Sequence, residues 1–199
     1  MPLRGIRDFS IAGFLLTGCM PGPSSVPDRP PPAASMGIVD FPAECSPEPR
    51  EMRTECLWVT SSQRTFVAAA QDVAFSPSQM FDPQDLRQIW RSPEDFLRLV
   101  LYPATADWVW DDMEGMTTIS EGMLSEAELP EGADACYQAR LEGSEKRAKT
   151  IHCVRMRESD DSVRMVSLLF TEAKGPGTPG PASDFDARAD SYLGTLRLP

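Results

Sequence analysis

A single histidine, His152, stands against 30 acidic and 19 basic residues in this chain of 199. That scarcity removes most hydrolytic chemistry at the outset. A serine or cysteine nucleophile ordinarily hands its proton to an imidazole, and only one is on offer. The chain also has no glycine-rich phosphate loop, no GxSxG turn and no HExxH pair. Beyond residue 19 it has no long apolar run, so nothing there is expected to cross a bilayer, which takes about 20 such residues. Basic residues are the minority, leaving a formal net charge of −11. That sign is wrong for docking on phosphate backbones or on anionic lipid, and no nucleic-acid partner is expected.

Cysteine is sparse but ordered. There are five, at Cys19, Cys45, Cys56, Cys136 and Cys153. Zinc sites usually hold pairs about two to four residues apart. The separations of 11 and 17 residues within the last four are far wider. The acidic run Asp107, Asp111, Asp112 and Glu114 does not follow the alternating pattern of a calcium loop. No metal and no cofactor are expected.

The N-terminal residues are the most informative. Arg4 and Arg7 precede a short apolar run, Phe9 to Leu16, which leads into Leu16-Thr17-Gly18-Cys19. A basic start, an apolar core and small residues before a cut are what a secretion signal needs. Together these residues resemble the signal peptide and lipobox of bacterial lipoproteins. The resemblance implies cleavage before Cys19, acylation of its thiol and attachment to a membrane by lipid. Met20 after the cysteine implies the outer membrane of a Gram-negative cell, with the chain facing the periplasm. Each buried methylene of such a lipid adds about 0.8 kcal/mol, and stable anchoring takes more than one chain. Residues 21–34 read PGPSSVPDRPPPAA, with almost nothing to bury, and are expected to stay extended as a tether. The organisation is therefore residues 1–18 as signal peptide, 19–34 as lipidated cysteine and Pro-rich tether, and 35–199 as one folded domain. Loss of residues 1–18 removes Arg4, Arg7 and Asp8, taking the charge from −11 to about −12.

With Cys19 assigned to lipid, an even number of cysteines remains in an oxidising compartment, which predicts two disulfides. Three pairings are possible, and register selects among them. Residues 135–142 and 148–157 read as two strands of a hairpin. Setting Cys136 opposite Cys153 places Ala135, Tyr137, Ala139 and Leu141 on one apolar face with Val154, His152, Thr150 and Ala148. Arg140 then stands beside Lys149, and Glu142 beside Arg147, on the other face. Cys45 is left to pair with Cys56.

The remaining pattern predicts an α+β domain, an antiparallel sheet with packed helices. Residues 57–75 read as one or two strands, with the alanines making helix a competitor. Asp82-Pro83 and Ser92-Pro93 mark two helix starts. Residues 108–110 and 116–120 suggest short strands. Val163 to Thr171, apolar on both faces, reads as a central strand. Ser183 with Asp186 is expected to cap a last helix carrying Phe185, Ala189, Tyr192 and Leu193. This order of strands and a closing helix over residues 135–197 resembles the PsbP-like group of extrinsic membrane-assembly proteins. The resemblance implies binding to or stabilising a membrane assembly, with no residue roles to carry over.

Two candidate sites follow. His152, opposite Tyr137 on an apolar face, is expected to be a hydrogen-bonded core histidine. Trp108 and Trp110, with Asp111 and Asp112 beside them, are candidate binding residues for a sugar, a peptide or a cationic partner; the competing reading is core anchors beside a solvated turn. No catalytic residue is assigned. The sequence reads as an envelope lipoprotein acting as a binding or accessory module of an envelope assembly, with an envelope protein as candidate partner. The alternatives are a carboxylate-dependent hydrolase of envelope glycan or peptide, or a passive surface protein.

Overall fold

The run expected to be apolar on both faces proves to be the middle of the fold. In a computed structural model, which describes residues 37–50, 53–101, 115–175 and 184–199, with 99–101 as backbone only, seven strands form one antiparallel sheet. They are β1 (Glu48–Pro49), β2 (Thr54–Val59), β3 (Arg64–Phe75), β4 (Thr117–Met123), β5 (Ala135–Glu142), β6 (Lys146–Arg157) and β7 (Ser162–Lys174). Their spatial order is β1-β2-β3-β7-β6-β5-β4, so β7 lies fourth of seven. Among the described residues, three short α-helices accompany the sheet: α1 (Pro83–Ile89), α2 (Pro93–Leu101) and α3 (Phe185–Leu193). The domain is therefore mostly sheet, with helix as a minor component.

Residues 57–75 resolve into the end of β2, a turn and β3, with no helix. The alanines that suggested helix are strand residues for a packing reason. Ala68, Ala69 and Ala70 stand directly opposite Phe170, Leu169 and Leu168 of β7. Large side chains on one strand fill the space left by small ones on its neighbour, and that fit outweighs intrinsic propensity. The β5–β6 hairpin has the expected register, with Cys136 opposite Cys153 and Tyr137 opposite His152. Both pairs of cysteines, Cys45–Cys56 and Cys136–Cys153, form disulfides.

Both faces of the sheet are covered. On the cysteine face, Phe66, Ala68, Cys136, Ile151, Cys153 and Phe170 pack with Phe185, Ala189, Tyr192 and Leu193 of α3 and with Leu196 and Leu198 beyond it. On the opposite, histidine face, Ile89, Phe96 and Leu97 of α1 and α2 pack on Ala135, Val154, Val163 and Met165. The cysteine face is thus core as well, although its hairpin end carries Arg140 and Lys149. Acids of α3 meet these bases: Asp186 pairs with Arg140 at 3.2 Å, and Asp190 pairs with Lys149. Helix α3 begins at Phe185 with Asp184, not Ser183, in the N-cap position. Ser92 caps α2 as expected, its Oγ accepting from the Asp95 N–H at 3.2 Å, whereas the Asp82 side chain makes no capping bond.

The C-terminal tail closes the cysteine face by backbone pairing. The Arg197 N–H donates to the Ile38 carbonyl and the Leu198 N–H to the Glu131 carbonyl, each at 2.9 Å. Gly132 is required there. Its φ is +82°, and a Cβ would lie 2.1 Å from the Leu198 carbonyl oxygen.

Candidate functional site

The candidate binding residues Trp108, Trp110, Asp111 and Asp112 lie outside the described residues, as does Cys19. Among the described residues, no group of three His, Cys, Asp or Glu is placed to hold a metal ion. Two arrangements on the sheet remain, one on each face.

The first is a polar row across the histidine face. Register places Tyr137, His152, Ser167 and Gln71 side by side on β5, β6, β7 and β3. His152 Nδ1 and Ser167 Oγ share a hydrogen bond of 2.9 Å, and the Tyr137 hydroxyl donates to Glu121. Burial pushes the His152 pKa down to about 4, so the ring is neutral at physiological pH. A serine against a neutral imidazole is the contact a nucleophile uses. Here, however, Ser167 is 1% and His152 6% exposed, and a substrate needs access to the hydroxyl. The pair is a satisfied core contact, in keeping with a hydrogen-bonded core histidine. Gln71 Oε1, at the end of the row, is buried with no hydrogen-bond partner among the described residues.

The second is a cavity of about 510 Å³ on the cysteine face, between α3, β2 and the turn at residues 40–44. That volume falls within the range of small-molecule sites, roughly 300–1,000 Å³. Four of its lining residues are aromatic, Phe41, Trp58, Phe170 and Tyr192, the last three of them core residues. Each is positioned by a different part of the chain. Trp58 comes from β2 and stacks on Phe66 with ring centroids 5.2 Å apart. Phe170 comes from central β7 and lies 5.9 Å from Trp58 and 6.1 Å from Tyr192. Tyr192 comes from α3, its hydroxyl donating to the Ala69 carbonyl at 2.9 Å. Burial pushes that hydroxyl's pKa well up, so it stays a proton donor. Phe41 comes from the turn and lies 5.6 Å from Tyr192.

The Cys45–Cys56 disulfide fixes this arrangement. It ties the turn that carries Phe41 to β2, two residues before Trp58. The turn is held from the other side by Thr195, whose Oγ1 accepts from the Asp40 N–H at 3.0 Å.

The edge of the cavity is charged. Arg188 of α3 donates to Asp184 at 2.6 Å and to Glu44 at 3.2 Å, bridging helix and turn. The hydrogen bond from Arg188 holds the Asp184 carboxyl below the usual carboxylate range. Asp40, also on the edge, pairs with Arg197 at 3.3 Å. The Trp58 Nε1–H is buried and has no hydrogen-bond partner among the described residues. A buried indole N–H normally finds an acceptor.

Sequence reasoning reads Trp58 as a strand residue and Tyr192 as the apolar side of a helix. One signal pointed to the cavity: Cys45 and Cys56 lie close in sequence to Phe41 and Trp58, so closing that disulfide draws both rings together. No protein-family model and no curated protein sequence matches the chain.

Proposed function

We propose that the chain is an envelope lipoprotein, anchored by lipid at Cys19, whose domain serves as a binding or accessory module of an envelope assembly. On this reading residues 1–18 are the signal peptide, 19–34 the lipidated cysteine and tether, and 35–199 a periplasmic α+β domain on the outer membrane. Its helices pack on both faces of the sheet, and its closing order of strands and helix is that of the PsbP-like group.

The observation that carries the proposal is the cysteine accounting. Cys45 pairs with Cys56 and Cys136 with Cys153, which leaves Cys19 as the odd cysteine. Two disulfides belong to an oxidising compartment, and the remaining thiol sits in the motif that would receive lipid. Binding is favoured over catalysis by the aromatic cavity and by the enclosure of His152 with Ser167.

Crosslinking in intact cells, followed by affinity purification, tests the assembly role, with Cys19→Ser as control. One partner captured near one-to-one with the lipidated protein, and lost with Cys19→Ser, is the expected result. Equal recovery from both forms, or no partner, would contradict it.

A further inference from the structure

We propose that the Cys45–Cys56 disulfide is a redox catch. A dithiol opens it while Cys136–Cys153 stays closed, and its opening frees the strap of residues 40–47 from the cysteine face. The proposal goes beyond the binding-module reading and takes from it only an oxidising setting.

The two disulfides differ in access. Cys136 and Cys153 are both 0% exposed, paired across β5 and β6 in the core that α3 and the C-terminal tail close. Cys56 is 1% exposed, but its partner Cys45 is only half-buried, in a turn at the surface. A thiolate must reach a sulfur to displace it. Cys45 offers an approach, whereas Cys136 and Cys153 offer none while the sheet is intact.

The strap is otherwise lightly held. It runs from buried Val39 to β1, and each of its residues is exposed or half-buried. Asp40 is tied to Thr195 by the 3.0 Å hydrogen bond and to Arg197 by an ion pair, and Glu44 is paired with Arg188. Both ion pairs are exposed, and such pairs contribute little. The Phe41 ring rests against Tyr192. The covalent bond is the strongest tie between the strap and the sheet.

Trp58 favours opening once that tie is cut. It shares the cavity wall with residues 40–44, and its buried indole N–H has no hydrogen-bond partner among the described residues. A buried donor left unmade is costly. Water that enters as the strap lifts would satisfy it, so the closed form carries a cost that the catch holds in place.

The exchange balances with a dithiol as reductant. One of its thiolates attacks Cys45 Sγ; a mixed disulfide forms, the Cys45–Cys56 bond breaks, and Cys56 leaves as a thiolate. The second thiol then attacks the mixed disulfide, closes the dithiol's own disulfide and releases the Cys45 thiolate. Two electrons pass to the chain, and the two protons the dithiol loses are those the two cysteines gain.

Dithiothreitol, added without denaturant to the oxidised full-length Cys19→Ser chain, tests the proposal with no further thiol present. Alkylation at intervals followed by peptide mapping reads each disulfide, and hydrogen exchange reads the strap. Cys45 and Cys56 are expected to be labelled together, about tenfold sooner or more than Cys136 and Cys153. Residues 40–47 are then expected to exchange roughly tenfold faster, with residues 135–174 unchanged. The Trp58 indole N–H, identified by its loss in Trp58→Phe, is expected to exchange faster with water as well. Cys45→Ser should show the open strap without reductant; should that variant not fold, the reduced chain carries the test. Equal labelling rates for the two disulfides would overturn the proposal. So would a strap and an indole N–H as protected after reduction of Cys45–Cys56 as before it. None of these readings depends on lipid at Cys19, so their failure leaves the module reading standing.

Discussion

Glu172→Gln is the substitution whose cost follows most directly from the structure. Glu172 is 2% exposed, in central β7, and its two carboxylate oxygens receive Arg64 from β3 and Arg147 from β6. The Arg147 guanidinium in turn lies 4.2 Å from the centre of the Phe185 ring, where α3 begins. Glutamine keeps the shape and one acceptor but loses the charge, and the pairing of two largely buried guanidiniums with this carboxylate is weakened. Removing one member of a buried ion pair costs about 3–5 kcal/mol. Counting instead two charge-assisted hydrogen bonds at roughly 1.5–3 kcal/mol each gives a similar total. Against a typical total stability of about 5–15 kcal/mol this is a large fraction. Urea denaturation of the oxidised protein should show the midpoint falling with the slope unchanged. Thermal melting should drop by roughly 10 °C. Replacing Arg64, Arg147 and Glu172 together by Met, Met and Leu should recover most of the loss, because well-packed apolar residues can substitute for a buried ion triad. Asp190→Asn, which breaks an ion pair whose carboxylate is 58% exposed, should cost under about 1 kcal/mol. A Glu172→Gln loss no larger than that of Asp190→Asn would refute the reasoning.

Three further outcomes are expected. His152, with its pKa pushed from 6.5 to about 4 by burial, takes up its proton more readily in the unfolded chain than in the folded one. Stability should therefore fall as pH drops through that window, by about 3 kcal/mol from this group, and His152→Gln should flatten the difference; parallel pH curves for the two proteins would contradict this. A non-reduced tryptic map should contain a peptide joining Cys136 to Cys153, and a peptide joining Cys45 to either would contradict the hairpin register. Phe170→Ala, at the meeting point of four aromatic rings, should cost about 3–5 kcal/mol by denaturation, and a loss under about 1 kcal/mol would mean the core closes over the gap.

Much of the sheet was legible because its signals are local. The β5–β6 hairpin could be registered from alternation alone, since one alignment paired the apolar face and the two thiols together. The central position of β7 was written in its unbroken apolar run. Helices α1 and α2 announced themselves through Asp82-Pro83 and Ser92-Pro93. What sequence could not supply was long-range. The ion pairs that Arg140 and Lys149 make on the cysteine face were not legible, because the acids that meet them, Asp186 and Asp190, lie some 40 residues later on α3. The strand state of Ala68 to Ala70 likewise depended on Leu168 to Phe170, nearly 100 residues away. The cavity drew its rings from four separate segments, so no single window of sequence contained it. Only the Cys45–Cys56 bridge linked two of them locally.

Everything proposed for the cell envelope depends on lipid at Cys19. Its most direct measurement is the intact mass of the protein extracted from membranes of the cells that make it, with a peptide map of its N-terminus. The expected result is a chain beginning at Cys19, heavier than its amino acids by the mass of attached acyl chains, and carrying both disulfides. A chain that retains residues 1–18, or one whose Cys19 is an unmodified thiol, would contradict it.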